Sequence, residues 1–321
     1  MRRAILAVPA AALLFAGCEK EITVDLPEAE EKLVVQGTIE PGRAPIVVLT
    51  HTQSFFDPTD LNSLLGIFEY GAVITVDDGN GPVQLEEVSG TAIPDAILAD
   101  AAQMIGLEPV LIQYAGIPIY TRTDGTLLGE VGRTYSLTVQ QDGKTLSGTT
   151  ELFAAEPLDS VWFKLANQSQ GDDSLGFIWQ TTSDPLGVEN HYRWLARRIG
   201  HDPDGTIKDA FFIAPYFAAF EDKYIDGLTF DWSINRGSEP YSDDDDDTNE
   251  ESGYFKRNDT VVIKFCSIGK AEFDFYNSTD NNTTSQGDLF SNPSNVTSNI
   301  TGGLGVWAGW SPWYDTLVCT P

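Results

Sequence analysis

The feature that most limits the fold of this chain is a series of short β-strands separated by turns, and residues 133–152 contain its clearest example. In RTYSLTVQQDGKTLSGTTEL, Tyr135, Leu137 and Val139 alternate with polar residues, which places them on one face of a strand. Asp142-Gly143 supplies the positive-φ turn of a two-residue hairpin. A chain that repeats this pattern is expected to build packed antiparallel sheets.

Other strand-like segments are rich in Val, Ile and aromatic residues, among them KLVVQGTI, APIVVLTHT, DSVWFKLA, HYRWLARRI and DTVVIKFC. Three segments instead have the spacing of an amphipathic helix. They are Leu61, Leu64, Leu65 and Phe68; Ile97, Ala101, Met104 and Ile105, before Gly106; and Ile268, Ala271 and Phe275. We therefore predict an all-β protein with two β-sandwich domains, immunoglobulin-like or transthyretin-like, and short inserted helices.

The composition changes near residue 156. All seven tryptophans lie after it, between Trp162 and Trp313, so the two halves are expected to have different cores. We predict an N-terminal β-sandwich domain at residues 33–155 and a C-terminal Trp-rich β domain at residues 156–321.

The N-terminus has the form of a secretory signal peptide. Arg2 and Arg3 precede an apolar run at residues 4–16, which is shorter than the roughly 20 residues of a membrane-spanning helix. Ala16-Gly17 before Cys18 resembles the lipobox of bacterial lipoproteins, although Phe15 departs from its usual aliphatic residue. We predict cleavage after residue 17, acylation of Cys18 and insertion of its acyl chains into membrane lipid. Residues 18–32 are then an acidic tether; an ordinary signal peptide is the alternative.

The charge of the chain excludes one class of partner. Without residues 1–17 it has 17 basic and 48 acidic residues, a formal charge of −31. Because phosphate binding depends on Lys and Arg, nucleic acid is not expected as a partner.

Cys266 and Cys319 remain after lipidation of Cys18. Because disulfides persist in exported proteins, we predict a bridge between them that fixes the C-terminus. Metal binding is the alternative, but neither cysteine has another Cys or His at ligand spacing.

Residues 239–251 form an acidic loop in which eight of 13 positions are Asp or Glu. The carboxylates repel one another, which favours a solvated loop. Calcium at Asp243, Asp245 and Asp247 is the alternative, because hard cations bind clustered carboxylates. The spacing lacks the glycine and glutamate of an EF-hand, so no metal is expected.

No catalytic motif is present, and we predict neither an enzyme nor a cofactor. Gly303, Gly305 and Ala308 match a dinucleotide fingerprint formally, but Pro312 interrupts the helix that must follow. A carboxylate-pair hydrolase stays open because 48 acids could meet many geometries.

The C-terminal stretch NITGGLGVWAGWSPWYD is rich in glycine and aromatic residues. Trp310, Trp313 and Tyr314 are candidate contacts for a ligand or partner, because Trp and Tyr are enriched at binding hot spots. The alternative is closure of the core of the second domain, which we predict for Trp307.

The segments CEKEITVDLPEAEEKLVVQG, SFFDPTD, GAVITVDDGNG, LDSVWF, DTVVIKFCSIGKAEFDFYNS and FSNPSNVTSNITGGLGVWAGW are similar to acidic bacterial outer-membrane lipoproteins catalogued as domain-of-unknown-function family forty-two forty-nine. The resemblance implies sandwich domains and an encoded neighbour that is often a TonB-dependent receptor. It carries over no catalytic residues. Glu19 and Glu21 resemble signals for surface display, which favours the cell-surface side over the periplasmic side.

These expectations lead to an accessory or ligand-capturing lipoprotein of a TonB-dependent transport system. A surface adhesion or structural module is the first alternative, and it should lack a deep pocket between its domains. A carboxylate-dependent hydrolase is the second, and it should place two acids together in a cleft.

Overall fold

The computed structural model describes residues 30–53, 60–166, 174–203, 205–238, 253–285 and 295–321. Glu31–Pro321 is one compact unit. Its strands are β1 Leu33–Ile39, β2 Ile46–His51, β3 Val73–Asp77, β4 Pro82–Gln84, β5 Glu86–Val88, β6 Ile119–Thr121, β7 Thr134–Gln141, β8 Lys144–Glu151, β9 Ser160–Leu165, β10 Leu175–Ser183, β11 His191–Arg198, β12 Ala219–Glu221, β13 Thr229–Ile234, β14 Phe255–Lys256, β15 Thr260–Ile268, β16 Leu304–Gly309 and β17 Ser311–Val318. Its α-helices are α1 Leu61–Gly66, α2 Asp95–Ile105, α3 Pro109–Ala115 and α4 Lys270–Ser285.

The first sandwich pairs a five-stranded sheet, in the order β16-β1-β2-β6-β5, with a four-stranded sheet, in the order β4-β3-β7-β8. Val35, Leu49 and Trp307 of the first sheet pack on Ile74 and Leu137 of the second in one buried core. Helices α2 and α3 cover part of the other face of the five-stranded sheet.

The second sandwich pairs the sheet β12-β11-β15-β17 with a sheet in which β9, β13 and β14 all pair with β10. Its core combines Trp194 and Phe265 of the first sheet with Phe163 and Ile178 of the second. The prediction of an all-β, sandwich-type protein with short helices is therefore confirmed.

Local sequence signals account for the predicted hairpin and helices. Strands β7 and β8 pair as predicted around Asp142 and Gly143, which have φ angles of 48° and 75°. Helix α2 ends where Gly106 adopts the left-handed conformation. Helix α4 begins two residues after Ile268, which is the last residue of β15 rather than part of the helix. Helix α3 was not predicted.

The C-terminal stretch connects the two sandwiches. Strand β16 runs parallel to β1 in the first sandwich, and after Trp310 strand β17 runs antiparallel to β15 in the second. Gly305 has a φ of 105°, and an added Cβ would lie 1.9 Å from the Val35 carbonyl oxygen. The close pairing of β16 with β1 thus requires glycine there.

The proposed boundary near residue 156 stays a prediction. Most strands before it belong to the first sandwich and most after it to the second, but β16 completes the first. Within the described part of the chain, no helix is long and apolar enough to cross a membrane.

The predicted Cys266–Cys319 disulfide is wrong, because both are free and buried. Cys266 lies opposite Pro312 in the β15–β17 register, whereas the Cys319 amide donates to the carbonyl of Asp259. The seven residue-to-residue steps from 259 to 266 span roughly 23 Å of extended chain, far beyond the ~7 Å Cα separation that a disulfide tolerates. The two thiols also lie in different cores. The ladder between β15 and β17 holds the C-terminus instead.

Candidate ligand pocket

A pocket with a volume of about 230 Å³ lies between the two sandwiches. In β1, Val35 and Ile39 point into the first core, while Gln36 and Thr38 line the pocket on the other face. In β11, Trp194 points into the second core, and the next residues in each direction, Arg193 and Leu195, line the pocket. Strand alternation therefore gives each sheet one face for its own core and one for the pocket.

Helices and the start of the C-terminal connection close the remaining sides. Residues 103–106 at the end of α2, Phe275 and Tyr276 of α4, Val306 of β16 and residues 211–214 contribute the other walls, together with Trp310. Most of these side chains are apolar or aromatic, and none of the described lining residues is acidic. This absence stands out in a chain with 48 acidic residues.

Arg193 is the one charged residue among the described residues that line the pocket. Its guanidinium carbon lies 3.5 Å from the ring centroid of Tyr276 and 5.0 Å from that of Trp310. The Trp310 indole N–H donates to the Tyr276 hydroxyl oxygen at 3.2 Å, which fixes the two rings relative to each other. Cation–π contacts of this kind stabilise the position of a guanidinium without neutralising it.

A buried ion pair also lies close to the Trp310 ring. Lys264 Nζ donates to Glu40 Oε1 at 2.5 Å, and it lies 5.0 Å from the Trp310 centroid. Burial is the largest single effect and lowers the pKa of Lys264, but the Glu40 carboxylate, Cys266 and Tyr314 together raise that pKa overall. Lys264 is therefore charged but neutralised, and it joins β15 of the second sandwich to the chain just after β1 of the first.

A second ion pair adjoins the first. Arg43 Nε donates to Asp100 Oδ2 of α2 at 2.9 Å. Burial raises the pKa of Asp100, while Arg43 opposes that shift. The Arg43–Asp100 pair fixes α2 against the first sandwich, and Lys264 of the second sandwich donates to Gln103 Oε1 of α2 at 3.4 Å.

The structure places the predicted aromatic contacts on different faces. Trp310 is 3% exposed and lines the pocket. Tyr314 faces the same side, 47% exposed, with its ring 6.0 Å from that of Phe212. Trp313 lies opposite Phe265 and packs on the second core. Trp307 is fully buried, as predicted, but in the core of the first sandwich rather than the second, because β16 pairs with β1. Its indole N–H donates to the carbonyl of Tyr135 at 3.0 Å. Ligand or partner contact by Trp310, Trp313 and Tyr314 stays a prediction.

Other predicted site residues lie outside the described residues. These are Cys18 and the calcium candidates Asp243, Asp245 and Asp247. Within the described chain, Asp184, Asp222 and Asp226 lie close enough to share an ion. Each of them accepts a hydrogen bond from the protein, from the Tyr192 hydroxyl and from the backbone N–H groups of Asn190 and Gly187 respectively. These hydrogen bonds connect loops, and they account for the cluster.

Sequence reasoning missed Arg193, Glu40 and Lys264. The alternation in HYRWLARRI could have placed Arg193 on the face of β11 that points away from the core. No neighbouring residue shows, however, that this second face meets another sandwich.

Both cysteines are unsuited to nucleophilic chemistry, because burial raises the pKa of each thiol to about 12.

Comparison with curated proteins finds no match for this chain. A family model described as Domain of unknown function (DUF4249) matches residues 19–312, which is most of the chain. The resemblance noted from the sequence segments is thereby confirmed. The protein belongs to the family Domain of unknown function (DUF4249).

Proposed function

We propose that this protein is a lipid-anchored lipoprotein of the outer membrane that captures a small ligand for a TonB-dependent transporter. The observation that carries the proposal is the pocket between the two sandwiches, with a mostly apolar lining and a few polar groups. Small-molecule sites usually have this composition and often lie between structural units.

The pocket also separates this proposal from its two alternatives. A module that only adheres has no need of a pocket between its sandwiches, whereas a carrier needs one. A carboxylate-dependent hydrolase needs two acids in its cleft, but the described lining contains none. Glu40 and Asp100, which lie beside the pocket, are paired with Lys264 and Arg43.

The membrane part of the proposal rests on the sequence. Acylation of Cys18 would anchor the protein to membrane lipid, and residues 18–32 would separate the anchor from β1, with the protein on the cell-surface side. A soluble ligand-binding unit attached in this way stays close to an outer-membrane receptor, which raises its effective concentration there.

The test is recovery of the native lipidated protein in mild detergent, followed by mass spectrometry of the proteins that accompany it. We expect one stoichiometric β-barrel receptor. The matched control is Cys18→Ala, which cannot be acylated and should leave the membrane fraction. Recovery of the wild-type lipoprotein alone, under conditions that preserve known transporter complexes, would refute the transport role. Protease digestion of intact cells tests the cell-surface orientation independently.

A further inference from the structure

We infer that the ligand of this pocket is a small monocarboxylate with an apolar or aromatic body, and that Arg193 binds its carboxylate. The inference rests on the proposed ligand capture and names the ligand class for the same pocket. It follows from the charge, the geometry and the size of the lining.

Among the described residues, no ion pair neutralises the charge of the pocket. Of the neighbouring basic groups, Lys264 is paired with Glu40 and Arg43 with Asp100. Arg193 forms no ion pair in the part of the chain that the structure describes. Asp280 lies near enough for Arg193 to lower its pKa, although burial raises that pKa overall. The Asp280 carboxylate instead accepts a hydrogen bond from the Phe217 amide at 2.9 Å.

The geometry leaves suitable donors for a carboxylate. Arg193 lies over the face of the Tyr276 ring, so its N–H groups, which lie in the guanidinium plane, remain directed away from that ring. A carboxylate accepts two parallel N–H bonds from such a group. The Tyr276 oxygen already accepts from Trp310, and its own O–H finds no acceptor among the described residues, so it is a second donor. One guanidinium and one hydroxyl match a single negative charge better than a doubly charged phosphate.

The rest of the lining determines the body of the ligand. The walls around Arg193 are apolar and include Met104, Leu195, Phe212, Ile213, Phe275 and Val306. The volume of about 230 Å³ is below the roughly 300–1,000 Å³ of sites for drug-sized molecules. A short aliphatic chain or a single aromatic ring on the carboxylate fits this space, and burial of its apolar surface would provide most of the affinity.

The experiment compares two acids with their neutral amides on the full lipidated chain in nanodiscs, using ligand-observed NMR with empty nanodiscs subtracted. The probes are 3-phenylpropionate and hexanoate, each paired with its primary amide. We expect at least one acid to bind at least tenfold more tightly than its amide, because a charge-assisted hydrogen bond contributes this much.

Variants then assign the effect to Arg193. Arg193→Gln should weaken binding of that acid at least tenfold and leave binding of its amide almost unchanged. Arg193→Lys, which keeps the charge but loses the planar pair of donors, should give an intermediate loss. The matched control is Lys164→Gln, which removes an exposed cation 4.9 Å from the Trp179 centroid, on β9 and outside the pocket lining. This control should bind like the wild type.

Three results would overturn the inference: neither acid binds, acids and amides bind equally, or Arg193→Gln binds the acid like the wild type. Thermal unfolding of each variant identifies any loss that comes from misfolding, and Arg193→Lys then decides the question. Failure here is distinct from failure of the transport proposal. Amide binding without a preference for acids would leave ligand capture intact, whereas acid binding by a protein that recovers no receptor would refute only the transport role.

Discussion

Replacement of Lys264 by methionine is expected to destabilise the protein by about 3–5 kcal/mol, the usual cost of breaking a buried ion pair. The Lys264 and Glu40 side chains are 2% and 8% exposed. At 2.5 Å between Nζ and Oε1, their attraction is roughly 7 kcal/mol with an effective dielectric constant of about 20. Desolvation of the two ions offsets most of this gain, so the intact pair contributes little net stability. Loss of one partner leaves the other charge buried and unpaired.

The environment of Glu40 determines where the loss of stability in Lys264→Met falls between about 3 and 5 kcal/mol. Arg43 also interacts electrostatically with Glu40, so the carboxylate keeps part of its compensation when Lys264 is removed. We therefore expect Lys264→Met near the lower end, at about 3 kcal/mol. The double variant Glu40→Gln with Lys264→Met should recover most of that loss, because neither charge is then buried alone.

The assay is urea unfolding of the four proteins of this double-mutant cycle at pH 7. This pH is suitable because the pKa of Lys264 is raised in the folded state. Its contribution is fully present below the unfolded pKa of about 10.4 and is lost only as the pH rises through the folded value. The control is Lys270→Met, which breaks an exposed pair with Asp274 and should cost less than about 0.5 kcal/mol. A loss below about 1 kcal/mol for Lys264→Met, or no recovery in the double variant, would refute the reasoning.

Three further predictions concern backbone, thiol and proton chemistry. Gly305→Ala should lower the free energy of unfolding in urea by at least about 3 kcal/mol, because Gly305 has a positive φ and an added Cβ would meet the Val35 carbonyl. The control Gly66→Ala, whose added Cβ meets nothing within 4 Å, should not cause such a loss. Equal losses in the two variants would contradict the argument. Alkylation of the denatured protein without reductant should label both Cys266 and Cys319, because both are free thiols. Protection of both from alkylation would show instead that they form a disulfide. Burial raises the pKa of Glu272, so its ionised form penalises the folded state above that raised pKa and not below the unfolded value of about 4.3. Glu272→Gln should thus be more stable than the wild type at pH 7, with a difference that shrinks towards pH 4; a difference independent of pH would count against this.

Features encoded by neighbouring residues were predictable from the sequence. The hairpin at Asp142-Gly143 follows from a turn that only a few residue types adopt and from alternation that needs no distant partner. The end of α2 at Gly106 has the same local origin. Helix α3 was missed because its seven residues are too few for a clear apolar period, although Pro109 and Gly116 mark its ends.

Counting cysteines in a chain with a predicted signal peptide was not enough to predict their pairing. The inference used compartment and number, whereas pairing depends on the register of β15 and β17. That register separates Cys266 from Cys319 along the strand and turns them to opposite faces. A register is set by the sum of many cross-strand contacts, and no single pair of residues reveals it.

The sequence by itself determined that this chain forms β-sandwiches with short helices, since strand alternation, turn residues and helix caps act over a few residues. Only the tertiary structure decided where a ligand could bind. The pocket combines β1, α2, β11, α4 and β16, and the ion pair beside it joins Glu40 to Lys264 across 224 positions. Local patterns report which face of a strand is apolar, but the partner of that face depends on how distant elements pack together. Arg193 therefore became visible as a proposed binding residue only in the folded molecule.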